Sequence, residues 1–287
     1  MKILRFVLVM SLLSAGSAMA DMERVTNNRT DLNDATLQRL YRSAEQGDGA
    51  AMYALGSMFD EGVGVAQSYE EAFKWYSRAA EVGSVGAMNC LGIAYARGQG
   101  VPQSQALAFR WFSKAAENGS IEAMGNIGIA YFLGAGTPVN YPEAAKWFDL
   151  AATNGDASAM NNLAMMYEKG MGVTQDHQRA VVLFGRAARR GYPLAMMNLG
   201  IVYAKGEAVK QDKVVAFAWM GAALRAGLPD EDRDAVSGEL GTLAMELGAE
   251  ELARARQLVG EIAAAVAHDQ QSQKARAASA ALKLNAL

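Results

Sequence analysis

The sequence predicts an all-α protein, a right-handed α-solenoid of antiparallel helix pairs, and three observations predict it. A glycine recurs every 36 residues without insertion, at positions 47, 83, 119, 155, 191 and 227. Apolar residues recur in register with this glycine at helical spacing. The chain contains only five prolines in 287 residues and is rich in Ala, Leu and Met, which favours helix.

The first helix of each 36-residue repeat is recognised by its apolar face. In the first repeat, Ala51, Met52, Leu55 and Phe59 stand at i, i+1, i+4 and i+8, which places them on one side of a helix. The small residue Gly56 and its equivalents let a neighbouring helix approach closely. Glycines after this segment, such as Gly62, end the helix.

The second helix carries a further apolar face built from Ala72, Trp75 and Tyr76. We expect the Trp column to be core; it consists of Trp75, Trp111, Trp147, Leu183 and Trp219. Residues able to cap the helix start stand just before it, namely Ser68, Ser104, Asn140, Asp176 and Asp212.

These patterns divide the chain into six segments. They are a signal peptide (1–20), an N-terminal leader of the mature chain (21–34), an N-terminal cap helix (35–46), five repeats (47–227), two C-terminal capping helices (228–267) and a low-complexity tail (268–287). The capping helices are expected near 231–247 and 249–266, and the tail is expected to be frayed helix or disordered. Atypical end segments are usual in repeat proteins.

The first twenty residues are typical of an export signal. Lys2 and Arg5 precede an apolar run, and Ala18-Met19-Ala20 fits signal peptidase, which predicts cleavage after Ala20. The predicted location is the periplasm, with full secretion as an alternative. An uncleaved N-terminal anchor is a further reading, although the apolar run is short for a span of about 20 residues. No span is predicted in the mature chain.

The repeat unit A-M-x-x-L-G-x-x-Y-x-x-G-x-G-V, followed by A-x-x-W and a closing glycine, resembles the Sel1-like repeat, a relative of the tetratricopeptide repeat. The resemblance covers residues 47–227. It implies a non-catalytic scaffold that binds a partner protein or peptide in a concave groove, with a role in signalling, assembly or envelope integrity. It implies no cofactor.

The resemblance also implies which residues line the groove, because the first helix of each pair faces it in tetratricopeptide-like arrays. The predicted partner-binding residues are Asn126, Asn162, Asn198, Asn161, Ile93, Ile129, Met165, Ile201, Phe132 and Lys169. Two alternatives remain open. The asparagine column could bridge neighbouring helices, and the apolar column could belong to the packing between repeats.

Charge and motifs argue against other function classes. The mature chain carries 25 basic and 30 acidic residues, a net charge of −5, with no basic block, so nucleic acid is not expected as a partner. Cys90 is the single cysteine, and no disulfide can form within the chain. His177 is expected to be a solvated loop histidine, and no metal-binding spacing is present. We expect a monomer.

One enzymatic alternative is kept. Some proteins that resemble this family have been regarded as β-lactam-binding or hydrolysing enzymes, so a hydrolase acting on a β-lactam or cell-wall substrate is the second hypothesis. The serine enzymes of that class use Ser-x-x-Lys and Lys-Thr-Gly. Neither motif occurs in this chain, and the prediction is that the protein is not an enzyme.

Overall fold

The computed structural model describes residues 34–284, so the predicted signal peptide and most of the leader lie outside the described residues. Within this range the chain forms thirteen helices and no strand, which confirms the all-α prediction. The helices are α1 (Asp34–Glu45), α2 (Gly49–Glu61), α3 (Tyr69–Glu81), α4 (Val85–Arg97), α5 (Gln105–Glu117), α6 (Ile121–Leu133), α7 (Tyr141–Thr153), α8 (Ala157–Lys169), α9 (His177–Arg189), α10 (Pro193–Lys205), α11 (Lys213–Arg225), α12 (Asp230–Glu246) and α13 (Ala249–Leu284).

The helices belong to two compact units, and the boundary between them in the chain falls within α7. The N-terminal unit ends at Ala151 and the C-terminal unit begins at Ala152. In each unit, consecutive helices pack as antiparallel pairs. Among the described helices, none combines the length and the apolar character needed to cross a bilayer.

The predicted helix starts are confirmed by their caps. In repeat 1, Oγ of Ser68 accepts a hydrogen bond from the backbone N–H of Glu71. The equivalent residues of the other repeats, Ser104, Asn140, Asp176 and Asp212, accept the same bond from the N–H three residues later. Each bond satisfies one of the backbone donors that a helix start leaves unpaired.

A second recurring contact ties the loop of four repeats to the preceding helix. The amide nitrogen of Gln67 donates to the carbonyl oxygen of Asp60 at 2.7 Å. Gln103, Gln175 and Gln211 make the equivalent bond to the residue seven positions earlier. Repeat 3 has Val139 in this place. The glutamine column recurs with the repeat period, so periodicity alone could have identified it.

The prediction for the Trp column is wrong in part. Trp75 is buried, but Trp111, Trp147 and Trp219 are half-buried. The fully buried aromatic column is the next one, since Phe148 and Phe184 are 0% exposed. The other members of this column are also buried: Tyr76, Phe112 and Met220.

The small residues of the first helices explain this choice. A Cβ placed on Gly128 would lie 2.6 Å from the ring of Phe148, and one on Gly56 would lie 2.6 Å from the ring of Tyr76. The glycine therefore forms the hollow that receives the second aromatic residue of the repeat. The Trp ring is left at the edge of the core, where the ammonium of Lys114 lies 5.1 Å from the ring centre of Trp111.

The C-terminal helices close the C-terminal unit. Ala255 and Val259 of α13 are buried. Gly221 of α11 admits this helix, because a Cβ there would lie 2.7 Å from Val259. α13 does not end near residue 266 but continues to Leu284, so it includes most of the predicted low-complexity tail. Residues 285–287 lie outside the described residues.

Candidate functional site

The asparagines predicted to line a groove are buried. Asn126, Asn162 and Asn198 are 4%, 2% and 0% exposed. In the N-terminal unit, Nδ2 of Asn126 donates to Oδ1 of Asn89 at 3.1 Å. In the C-terminal unit, Nδ2 of Asn198 donates to Oδ1 of Asn161 at 3.0 Å. Each bond joins the first helices of two consecutive repeats, which supports the alternative that this column bridges neighbouring helices.

Two oxygens of the column keep their hydrogen-bonding capacity. Oδ1 of Asn162 and Oδ1 of Asn198 are buried and have no hydrogen-bond partner among the described residues. The residue 37 positions before Asn162, where the other two pairs have an asparagine, is Gly125. Because a buried acceptor without a partner is costly, these two oxygens are the atoms of the column most able to gain from a donor. Contact with a partner stays a prediction.

The bridging bond has a measurable consequence. We expect Asn198→Ala to lower the free energy of unfolding by about 1–3 kcal/mol more than Asn162→Ala, because only the first change leaves Oδ1 of Asn161 unpaired. Both changes remove the same amide from a buried position, so their cavity terms are similar. Urea denaturation followed by circular dichroism measures the difference. Equal losses would show that the bond between Asn161 and Asn198 contributes nothing.

The remaining predicted groove residues are mostly packed against other side chains. Ile129, Phe132, Met165 and Ile201 are buried, Ile93 is half-buried and Lys169 is exposed. The N-terminal unit contains Ile93, Asn126, Ile129 and Phe132, and the C-terminal unit contains the other six. This burial supports the alternative that the apolar column takes part in the packing of the repeats.

One pocket of the C-terminal unit lies where α10 and α11 meet α12. It has a volume of about 120 Å³, and its apolar floor is formed by the buried side chains of Ile201, Met220 and Leu243. A void of about 150 Å³ holds one benzene molecule. This C-terminal pocket is therefore of a size to receive one aliphatic side chain.

Charged side chains surround the C-terminal pocket. Nζ of Lys213 forms an ion pair with Oε2 of Glu246 at 3.2 Å, and Lys205 and Glu239 also line the pocket. Asn198, Ile201 and Lys205 stand at i, i+3 and i+7 on α10, so they share one side of that helix. Of the predicted partner-binding residues, Ile201 lines this pocket.

The expectation for His177 is wrong in part, because its side chain is 39% exposed but it does not lie in a loop. It is the first residue of α9, and its Nδ1 lies 2.8 Å from Oε2 of Glu168, a carboxylate that is 6% exposed. The contact ties α8 to α9, which is a structural role. Among residues 34–284, the structure has no group of three or more His, Cys, Asp or Glu residues that could hold a metal ion.

Cys90 lies in a polar cluster of the N-terminal unit. The Tyr76 hydroxyl is 3.3 Å from Oγ of Ser57 and 3.5 Å from Oδ2 of Asp60. Burial raises the pKa of the Cys90 thiol to about 12, although the hydroxyls of Tyr76 and Tyr53 act in the opposite direction. Since the thiolate is the reactive form, this thiol is a poor nucleophile at neutral pH.

The sequence reasoning missed Asn89, Met220 and Leu243. Asn89 stands in a column that reads Tyr, Asn, Gly, Asn and Met through the five repeats, so no periodic signal marks it. Leu243 belongs to a helix outside the repeats. Its contribution to the pocket depends on how α12 packs against the last repeat.

Comparison with known proteins gives one family. The Sel1 repeat model matches residues 49–84, 85–120, 121–156, 157–192 and 193–228. A search of the curated proteins gives no match.

Several solved structures resemble this chain. A Sel1 repeat protein from Oxalobacter formigenes is 29% identical, with a TM-score of 0.70, over 86% of this chain and 95% of that one. The protective antigen c5321 of uropathogenic Escherichia coli, which displays an SLR fold, is 20% identical over 90% and 78% of the two chains, with a TM-score of 0.42. The immunity protein Pa5087 of Pseudomonas aeruginosa is 17% identical over 79% and 82%, with a TM-score of 0.47. The Oxalobacter formigenes protein superposes well on this chain, whereas the other two superpose less well. With its five matched repeats, the chain belongs to the Sel1 repeat family.

Proposed function

We propose that this protein is a non-catalytic scaffold of the bacterial envelope that binds a partner protein or peptide along the first helices of its repeats. Sel1 repeat proteins generally mediate protein–protein interactions. The observation that carries the proposal is the C-terminal pocket, with its floor of Ile201, Met220 and Leu243 and its charged rim. Pockets that are apolar inside and polar at the rim are the usual anchor sites of protein interfaces.

The polar side chains at the rim of the pocket support the same function. Lys205, Lys213, Glu239 and Glu246 line the pocket together with its apolar floor. Ammonium groups donate hydrogen bonds and carboxylates accept them, so the rim can bond the backbone or polar side chains of a bound segment. An aliphatic anchor in the pocket and polar contacts at its rim fit a peptide segment.

The proposed location is the periplasm. It is supported by Lys2, Arg5, the apolar run that follows them and the cleavage pattern that ends at Ala20. Secretion from the cell is the alternative. A partner in either compartment meets a chain with a net charge of −5 after cleavage, so a protein partner is favoured over nucleic acid.

Capture of the partner tests the proposal. The chain is expressed with its own signal and a C-terminal tag, cross-linked in the cell and purified. Thr242→Arg places a long charged side chain at the mouth of the pocket from an exposed position of α12. We expect this variant to recover the partner about tenfold less well, which corresponds to about 1.4 kcal/mol of binding free energy.

Ser237→Arg is the matched control. Ser237 is also exposed on α12, does not line the pocket, and bonds the carbonyl four residues earlier, as Thr242 does. Recovery equal to wild type with Ser237→Arg and reduced with Thr242→Arg would support the pocket. Equal recovery with both would exclude the pocket as the anchor, and failure to recover any protein with the wild type would contradict the scaffold function.

A further inference from the structure

A second recessed surface of the C-terminal unit lies at the end of α9. Three arginines, Arg186, Arg189 and Arg190, line an open cleft of about 730 Å³ together with Trp219 of α11. Residues 262–269 of α13 form its other wall. We call this surface the arginine cleft. Its volume is in the range of natural ligand sites, about 300–1,000 Å³.

The cleft exists because α13 returns to the end of α9. Nε2 of Gln270 donates to the carbonyl oxygen of Arg190 at 3.2 Å, across 80 residues of chain. Gly191 permits this approach, since a Cβ there would overlap the Gln270 amide and lie 3.1 Å from Val266. The cleft is thus held on both sides by packed helices.

Within residues 34–284, no ion pair neutralises the arginines of the cleft. Arg186 and Arg189 are exposed, and neither they nor Arg190 form an ion pair within the described part of the chain. Among the described residues that line the cleft, only Asp269 is acidic. The cleft is therefore cationic, in a chain whose net charge is −3.

The helix end explains part of this arrangement. Basic side chains in the last turn of a helix are stabilised by the negative end of the helix dipole. Arg225 has this role at the end of α11, one repeat after Arg189, and it does not line the cleft. The helix dipole does not explain the apolar part of the cleft, which Trp219, Ile262 and Val266 line together with the three arginines.

We propose that the arginine cleft docks an acidic peptide segment of a partner protein, with carboxylates on Arg186 and Arg189 and an apolar side chain against Trp219. The inference rests on the proposed scaffold function and names a second contact surface with its own chemistry. Guanidinium groups form paired hydrogen bonds with carboxylates and stack on aromatic rings. The three arginines favour a segment with carboxylates, because the charges are complementary. The apolar wall favours a segment that also has an apolar side chain.

The test uses a defined probe and the full mature chain. A fluorescein-labelled Glu-Glu-Leu-Glu-Glu peptide is titrated by fluorescence anisotropy at low and at physiological salt, beside a Gln-Gln-Leu-Gln-Gln peptide. We expect the acidic peptide to bind more weakly as salt rises, because the cleft charges are exposed. The double variant Arg186→Gln/Arg189→Gln should bind about tenfold less well. Arg225→Gln, the matched control, should bind as the wild type does.

Each other outcome would overturn the inference. No binding of the acidic peptide, equal binding of the glutamine peptide, or an equal loss in Arg225→Gln would exclude the cleft as its site. Binding of phosphatidylglycerol vesicles that depends on Arg186 and Arg189, without peptide binding, would assign the cleft to a membrane surface. If the double variant still captures the wild-type partner in the cell, the scaffold function stands and the arginine cleft fails as its contact.

Discussion

Gly100→Ala is expected to destabilise the N-terminal unit by about 2–5 kcal/mol. Gly100 has a φ of +71°, where alanine costs about 1–2 kcal/mol. A Cβ at this position would also overlap the carbonyl oxygen of Tyr69, the first residue of α3. The carbonyl belongs to the backbone and the position of a Cβ is fixed by its own backbone, so no side-chain rotation relieves the overlap, and overpacking adds about 1–3 kcal/mol.

Gly119→Ala separates the two contributions. Gly119 has a φ of +90°, but no atom lies within 4 Å of a Cβ placed there. In this variant the backbone strain alone should lower the free energy of unfolding, by about 1–2 kcal/mol. Thermal and urea denaturation followed by circular dichroism measure both variants. If Gly100→Ala were no less stable than Gly119→Ala, the close contact between the loop of repeat 2 and the start of α3 would be wrong.

Phe184→Ala is expected to lower the free energy of unfolding by about 3–5 kcal/mol, because it empties a fully buried site. Val182→Ala on the same helix is the control, since Val182 is 60% exposed and should change stability by less than about 0.5 kcal/mol. Urea denaturation of both variants measures the difference.

The same measurement on Trp111→Ala decides which aromatic column forms the core. Trp111 is half-buried, so Trp111→Ala should lower the free energy of unfolding less than Phe184→Ala does, although the Trp side chain is larger. A greater loss for Trp111→Ala would restore the interpretation drawn from the sequence, in which the Trp column was the core. A similar stability for Phe184→Ala and Val182→Ala would contradict the packing of α9.

These comparisons show which features were accessible to sequence reasoning. The helix starts at Ser68, Ser104, Asn140, Asp176 and Asp212 were predicted correctly, because a cap bonds an N–H only three residues away. The choice between Trp147 and Phe148 as core residue was not accessible. Adjacent residues of a helix differ by about 100° in direction, and the hollow above Gly128 selects between them.

For the candidate site, the sequence predicted the recurring residues but not the hydrogen bonds between them. The asparagine column was visible because it recurs with the repeat, and Ile201 was predicted as a partner-binding residue. That Asn198 bonds Asn161 was left open, since the bond joins residues 37 positions apart in different columns. The amides therefore join neighbouring helices. Their recurrence in the sequence is equally compatible with ligand binding, so it could not show this role.

By itself, the sequence determined the repeat period, the helices and their caps, because these depend on backbone hydrogen bonds and side chains within a few residues of each other. Only the tertiary structure decided which aromatic column is buried, which asparagines pair, and where the two recessed surfaces of the C-terminal unit lie. The physical reason is that these features join residues far apart in the chain. Leu243 completes a pocket on the last repeat, and Gln270 bonds Arg190 beside the arginine cleft.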